Sequence, residues 1–265
     1  MARTPRWTNG QFSAGVKEIN LSSWKYFSDY VNQELLTYKN YVYRGHASSD
    51  WKLEPTLDRI IKKPTSPKRK EHLENFMYSA RGRRGSNPPK LYSENDWWAL
   101  GQHQGLYTPL LDWTESPFVA LFFAMANAQQ EHSKKCSVFA LFQKSVEIYS
   151  QNIINDPNTQ EIQGRKPITE IIRPLTNENS RLVNQRGLFT RSPNNIDLEA
   201  WINSNHAKEN PDQQWWHLMK INIPKTGHND CLKYLNRMNI NHATLFPDLE
   251  GASRFCNMEL GITGY

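Results

Sequence analysis

Long apolar runs are missing from this chain of 265 residues. None approaches the roughly 20 residues that span a bilayer. The first fifteen residues, MARTPRWTNGQFSAG, have no apolar core of the kind a signal peptide needs. A soluble, cytoplasmic protein with no membrane partner is expected. Cysteine is also scarce: three residues, an odd number without paired spacing, exclude a disulfide framework and agree with a reducing compartment. His228, Cys231, His242 and Cys256 are zinc-ligand types in one stretch, but their spacing matches no common finger, so no metal is expected. The common catalytic motifs are absent as well. RGRRGS has the wrong spacing for a dinucleotide fingerprint, and there is no phosphate loop, His-Glu-x-x-His or Gly-x-Ser-x-Gly.

What the chain does have is a concentrated positive charge. The net charge is +6, yet ten of the 32 Lys and Arg and only two of the 26 acids lie between residues 59 and 90. The rest is slightly acidic. Lys68, Arg69, Lys70, Arg81, Arg83 and Arg84 are therefore candidate phosphate contacts, and Phe76, Tyr78 and Tyr92 are aromatics that can stack on unpaired bases. RNA or single-stranded DNA is the partner this composition points to. A solvated basic loop, or a docking surface for an acidic antitoxin, is the alternative.

Helix and strand signals alternate without a repeat. SSWKYFSDYVNQELL has helical apolar spacing, and YVYRG reads as a short strand. EHLENFMYSA is an amphipathic helix between two breaker-rich basic loops, so residues of about 59–92 read as a basic helical insertion. SENDWWALGQHQG carries a capping-box spacing from Ser93 to Asp96. YTPLLDW follows as a strand, and ESPFVALFFAMANA as a helix capped by Ser116 with Pro117 at its first position. SVFALFQ, ITEIIRPL, LVNQRGLFT and WWHLMKINIP are strand candidates, and DCLKYLNRM is a helix before the tail ATLFPDLEG. The expected fold is a single α+β domain over residues 1–265, with a mixed or antiparallel sheet and flanking helices.

Three polar clusters interrupt the apolar segments. In Tyr43-Arg44-Gly45 the arginine can present its fork to a phosphate or carboxylate, and the glycine admits a ligand to the backbone. A structural ion pair between Arg44 and Asp112 is equally open. Asp112-Trp113-Thr114, with His103 and Thr108 upstream, opens a site or caps the following helix. In RLVNQRGLF, Arg181, Gln185 and Gly187 alternate onto one strand face, with Phe189 beyond.

In order, YVYRG, DWKLEPTLDR, QHQGLYTPLLDWTESPFVALFFA, RLVNQRGLF and LFPDLEG resemble the FRG domain family from about Tyr43 to Gly251. The family's layout is similar to that of ADP-ribosyltransferases, and some FRG-like proteins are bacterial toxins of anti-phage defence that modify nucleic acid with ADP-ribose from NAD. The resemblance implies NAD as co-substrate and an ADP-ribosyltransferase-like sheet. It implies that Arg44 holds the diphosphate or ribose and that the Gly45 backbone meets the carboxamide. Asp112-Trp113-Thr114 takes the place of the Ser-Thr-Ser triplet, with Trp113 or Phe189 against the nicotinamide and Tyr43, His103 and Thr108 nearby. Gln185 falls near the catalytic glutamate, a departure, because a neutral amide stabilises developing ribose charge less well. Asp112 or Glu250 then supplies the carboxylate, or Gln185 positions only a ribose hydroxyl.

Three readings stay open: a transferase acting on RNA or single-stranded DNA, a non-catalytic nucleic-acid-binding module, and an enzyme that modifies protein or hydrolyses NAD. A toxin also implies a neutralising antitoxin.

Overall fold

The computed structural model describes residues 4–127, 132–162, 164–174, 180–209 and 215–265. The strands are β1 (Trp7–Ser13), β2 (Val16–Leu21), β3 (Tyr41–His46), β4 (Leu111–Thr114), β5 (Lys135–Phe142), β6 (Glu170–Ile172), β7 (Gly187–Arg191) and β8 (Leu218–Pro224). The first helical stretch is a 3-10 turn at Trp24–Tyr26, α1 (Phe27–Tyr30) and a π turn at Val31–Leu35. Then come α2 (Thr56–Ile60), α3 (Lys68–Ser79), α4 (Glu94–His103), α5 (Pro117–Ala126) and α6 (Gln143–Asn155). The remaining helices are α7 (Ser180–Asn184), α8 (Leu198–Glu209), α9 (His228–Arg237), α10 (His242–Leu245) and α11 (Leu249–Gly261).

One mixed sheet runs β1-β2-β8-β5-β3-β4-β7-β6. Only β2 and β8 pair in parallel; the other neighbours are antiparallel. The α+β class is as expected. Side chains alternate across β3 and β5, so Tyr41, Tyr43, Val138 and Ala140 join α5 and α9 in one core, while Val42, Phe139 and Leu141 join α6 and α8 in another. A third cluster packs Leu57 of α2 and Leu73 of the basic segment on Trp98, Leu110 and Phe189. The segment is thus anchored to the sheet. Both outer strands are blunted as templates for further pairing: β6 has three residues, and β1 is disrupted by a register shift between Asn9 and Phe12.

Local signals account for the two helices beside the site. Ser93 accepts from the Asp96 amide while Asp96 reaches back, closing the box at the start of α4. At α5 the Ser116 hydroxyl accepts from the Val119 amide, and Pro117 occupies the first turn. Ala128, the last residue of that expected helix, lies outside the described residues.

Several expectations change. YTPLLDW is strand only from Leu111, because Pro109 cannot donate to a ladder. ITEIIRPL reduces to β6, and its final residue, Leu175, lies outside the described residues. RLVNQRGLFT is not one strand. Residues 180–184 form α7, Arg186 turns with φ 49°, and β7 starts at Gly187. Leu182 folds onto Gly187, where a Cβ would stand 2.5 Å from Leu182 Cδ1. The tail after residue 241 is helical, with Asp248 capping α11 through the Gly251 amide at 2.9 Å.

Candidate functional site

β3 and β4 are paired at Tyr43 and Thr114 alone, and the Arg44 side chain bridges the strands beyond that point. Its Nη1 donates to the Asp112 carbonyl at 2.8 Å and to Asp112 Oδ2 at 3.3 Å, and its Nε donates to His46 Nε2 at 3.0 Å. Nη2 makes no hydrogen bond among the described residues. Burial lowers the arginine's pKa and Asp112 opposes this; a guanidinium starts so high that it stays charged. Burial, and next the charge of Arg44, hold His46 well below the ordinary imidazole range. The ring is neutral, accepts at Nε2 and carries its proton on Nδ1.

Asp112 is the solvent-facing end of this series of contacts: its side chain is 54% exposed where that of Arg44 is 19%. Oδ2 also accepts from Gln102 Nε2 at 2.8 Å. The Gln102 amide is fixed in that sense by the buried Thr108 hydroxyl, which donates to Gln102 Oε1. Two donors therefore hold Oδ2, and Oδ1 has no hydrogen bond among the described residues.

Beside this pair lies a cleft of about 310 Å³, lined by Tyr43, Arg44, Gly45, Asp112 and Thr114 of the sheet and by the rings of Trp51, Phe123 and Phe246. A smaller hollow of about 140 Å³ adjoins it. The two share Asp112, Trp113, Gln185 and Phe246, and the smaller adds Gln102, His103, Arg181 and Phe189. Among the described residues lining either, Asp112 is the only acid.

Not every expected residue faces the cleft freely. Thr108 is fully buried and tied to Gln102 and the Leu110 amide, so it positions other groups and touches no ligand. The Thr114 hydroxyl donates to the Gln185 carbonyl at 2.6 Å and accepts from the Ser116 amide, which uses it to join β4, β7 and α5. Trp113 is buried and donates to Thr190, and Phe189 is buried in the third core cluster, so neither offers an open face for stacking. Gly45 lines the cleft, but its lack of a Cβ serves the helix behind it: a Cβ would stand 1.9 Å from the Ala120 carbonyl oxygen of α5.

Gln185 reaches the site from the α7–β7 turn and not along a strand, and its Nε2 donates to the Leu245 carbonyl at 3.1 Å. His103 lines the smaller hollow, its pKa lowered by burial and then by Arg181. Glu250 does not line either hollow. It accepts from Arg181 at 2.8 Å, pairs with Arg254, and these cations hold its carboxyl below the ordinary range. Asp248 shares Arg181, which carries this acidic pair to the rim of the hollow.

The basic segment divides in two. Lys68, Lys70, Arg81 and Arg83 are exposed. Arg84 is half-buried over the Trp97 ring and donates to the Pro89 carbonyl. Arg69 is not a surface phosphate contact. It is 6% exposed and bonded to Asp58 at 2.7 Å, to the Ile61 carbonyl and to Asn195, because a cation buried that deeply needs a fixed carboxylate.

Arg181, singled out with Gln185, does line the smaller hollow, whereas Gln102, Trp51 and Phe246 are site residues that sequence reasoning passed over. These three stand inside the stretches QHQG, DWKLEP and LFPDLEG, yet nothing local shows that they meet. Among the described residues no three metal-ligating side chains converge. Cys231 is buried in the first core and Cys256 is exposed, so the two cysteines of the considered zinc set do not share a site. No described helix is long and apolar enough to cross a membrane.

Neither the curated proteins nor the solved structures gave a match to this chain. One family did match, over residues 39–133, the stretch that holds β3, β4, Trp51, Gln102, Asp112 and Phe123, while Gln185 and Phe246 lie beyond it. That family is the FRG domain, and the matched stretch includes both Arg44 and Asp112, which are joined in the fold.

Proposed function

We propose that the cleft takes NAD as co-substrate and that the protein transfers ADP-ribose to nucleic acid, RNA in preference to single-stranded DNA, as a toxin of phage defence or of a toxin–antitoxin pair. The observation that carries this reading is the Asp112 carboxylate: the only acid among the described lining residues, with Oδ2 clamped by Arg44 and Gln102 and Oδ1 uncommitted.

In such a transfer the bond between nicotinamide and ribose C1′ breaks, with its electron pair leaving on nicotinamide. A nitrogen or oxygen of the acceptor bonds to C1′, and its proton passes to Asp112 or water. Positive charge builds on the ribose as the first bond lengthens, and a fixed carboxylate favours that state over the ground state. Arg44 has Nη2 to offer an anionic diphosphate. The rings of Trp51, Phe123 and Phe246 supply an apolar wall that suits a planar pyridine and keeps water from the reacting carbon. Gln185 is anchored to Leu245 and fits a positioning part, which leaves the acid role to Asp112.

For the acceptor, the exposed cations Lys68, Lys70, Arg81 and Arg83 stand beside exposed Tyr78 and Tyr92, with Arg81 3.8 Å from the centre of the Tyr78 ring. That pairing of charge and ring suits unpaired strands. A neutralising partner is expected to accompany the toxin.

The test is incubation with labelled NAD and separate pools of RNA, single-stranded DNA and protein, using wild type and Asp112→Asn. Label in a nucleic-acid pool that falls at least a hundredfold in the variant is the expected result. Gln185, where a glutamate would be expected, favours the binding-module reading instead, under which no label and no free nicotinamide appear. Label on protein, or free ADP-ribose alone, would assign the third substrate class.

A further inference from the structure

The two hollows meet at Asp112, and each has a lining of its own. The cleft of about 310 Å³ has the rings of Trp51 and Phe123, whereas the hollow of about 140 Å³ has Gln102, His103 and Arg181. A carboxylate that steadies charge on a ribose must stand beside C1′. With a pyridine against the rings of the cleft, C1′ lies at the junction. The smaller hollow is then the side from which a nucleophile reaches that carbon.

Asp112 cannot steady that charge and take a proton in the same step, because protonation removes the charge that favours the transition state. A second base is needed on the acceptor's side. Gln102 and Gln185 are amides already bonded to Asp112 and to the Leu245 carbonyl, and Arg181 is a cation held by Asp248 and Glu250. Apart from Asp112, His103 is the only residue of the described lining able to accept a proton. It stands at the end of α4, half-buried, and its ring makes no hydrogen bond among the described residues. The charged groups that face it come from three places: Arg181 of α7, Asp248 at the cap of α11 and Asp112 of β4. Burial, and next Arg181, lower its pKa from the ordinary imidazole value, while Asp248 and Asp112 oppose them. The ring is therefore neutral near pH 7 and free to accept.

The geometry points to the smaller hollow as the acceptor's subsite and to His103 as the general base that takes the acceptor's proton there, in place of Asp112 or water. The inference rests on the transferase reading above and deepens it. The bond between nicotinamide and C1′ breaks with its electron pair on nicotinamide, and the acceptor's oxygen or nitrogen bonds to C1′. The proton of that O–H or N–H goes to a ring nitrogen of His103, which returns it to solvent once the product has left. Asp112 stays charged throughout.

The test follows single-turnover transfer of label from NAD, to whichever pool accepts it, between about pH 5 and about pH 9. Wild type should gain rate as the pH rises, with a midpoint below about 6.5, and level off above it, because only the neutral ring accepts. His103→Gln keeps a polar side chain but has no basic nitrogen. It should lose roughly a hundredfold or more near neutral pH and lack the acid limb, while its affinity for NAD and for the acceptor holds. In His103→Ala, added imidazole should restore part of the rate, which a merely structural loss would not allow. A wild-type rate and limb in His103→Gln, or a rate lost in His103→Ala that imidazole does not restore, overturns the inference and leaves the transferase reading standing. No label and no free ADP-ribose from wild type overturns that reading and this inference with it.

Discussion

Asp112 illustrates how one carboxylate is held in place through a buried residue, Thr108, that does not itself line the cleft. Gln102 donates to it only because Thr108 holds the other end of the amide. Replacing Thr108 by valine keeps the shape but removes the hydroxyl, leaves Gln102 Oε1 and the Leu110 amide unmet, and should cost on the order of 1–3 kcal/mol by urea unfolding. Under the transferase reading it should also lower turnover while sparing nucleic-acid affinity. His217 is a second buried residue with a measurable signature. It is held by Ser145 at 2.6 Å, Tyr149 at 2.7 Å and His206 at 3.0 Å, and burial, then His206, lower its pKa to about 4. An unfolded chain titrates this ring at about 6.5 and so takes up a proton that the fold refuses. Stability should therefore fall as the pH drops below about 6.5 and level off below about 4, by about 3 kcal/mol in total. Denaturation at stepped pH should show that slope in wild type and a shallower one in His217→Gln.

Single elements carry their own tests. Gly45 lets α5 press its backbone onto β3, and the Cβ of Gly45→Ala would stand 2.7 Å from the Ala124 amide nitrogen as well as against Ala120. The helix must move or the strand must bend. A loss on the order of 3 kcal/mol or more is expected in thermal or chemical unfolding. Arg69→Met leaves Asp58 buried without its cation and should cost about 3–5 kcal/mol, whereas Arg83→Ala at the exposed end of the same segment should change stability little. These elements also mark what sequence reasoning can reach. α4 and α5 begin on caps that sit beside them in the chain, so Ser93 and Ser116 announce them. Arg44 and Asp112 stand out as charges among buried neighbours. α7 does not stand out, because Leu182 and Gly187 give the same pattern whether the chain runs straight or folds back, and only the left-handed Arg186 decides. β1 and α11 are mostly exposed, so no apolar period reveals them. Phe246 and Gln102 become site residues through contacts made across the whole fold.

At the scale of the molecule, charge and topology set the expectations. Binding of single strands should weaken with salt, and each of Lys68, Lys70, Arg81 and Arg83 changed to alanine should reduce the logarithmic slope by about 0.7 if that residue meets a phosphate. Arg69→Met should not, since its charge is spent on Asp58. The strand order joins distant parts of the chain: β2 pairs with β8, matching Val16 with Leu218, and such long-range pairing slows folding. The cleft shares this property. Arg44 and Asp112 belong to early segments, but the wall is finished by Gln185, then Leu245 and Phe246. A ribosome delivers these pieces in that order. No early stretch of the chain can therefore build the cleft by itself, and its wall is complete only once residue 246 has left the exit tunnel.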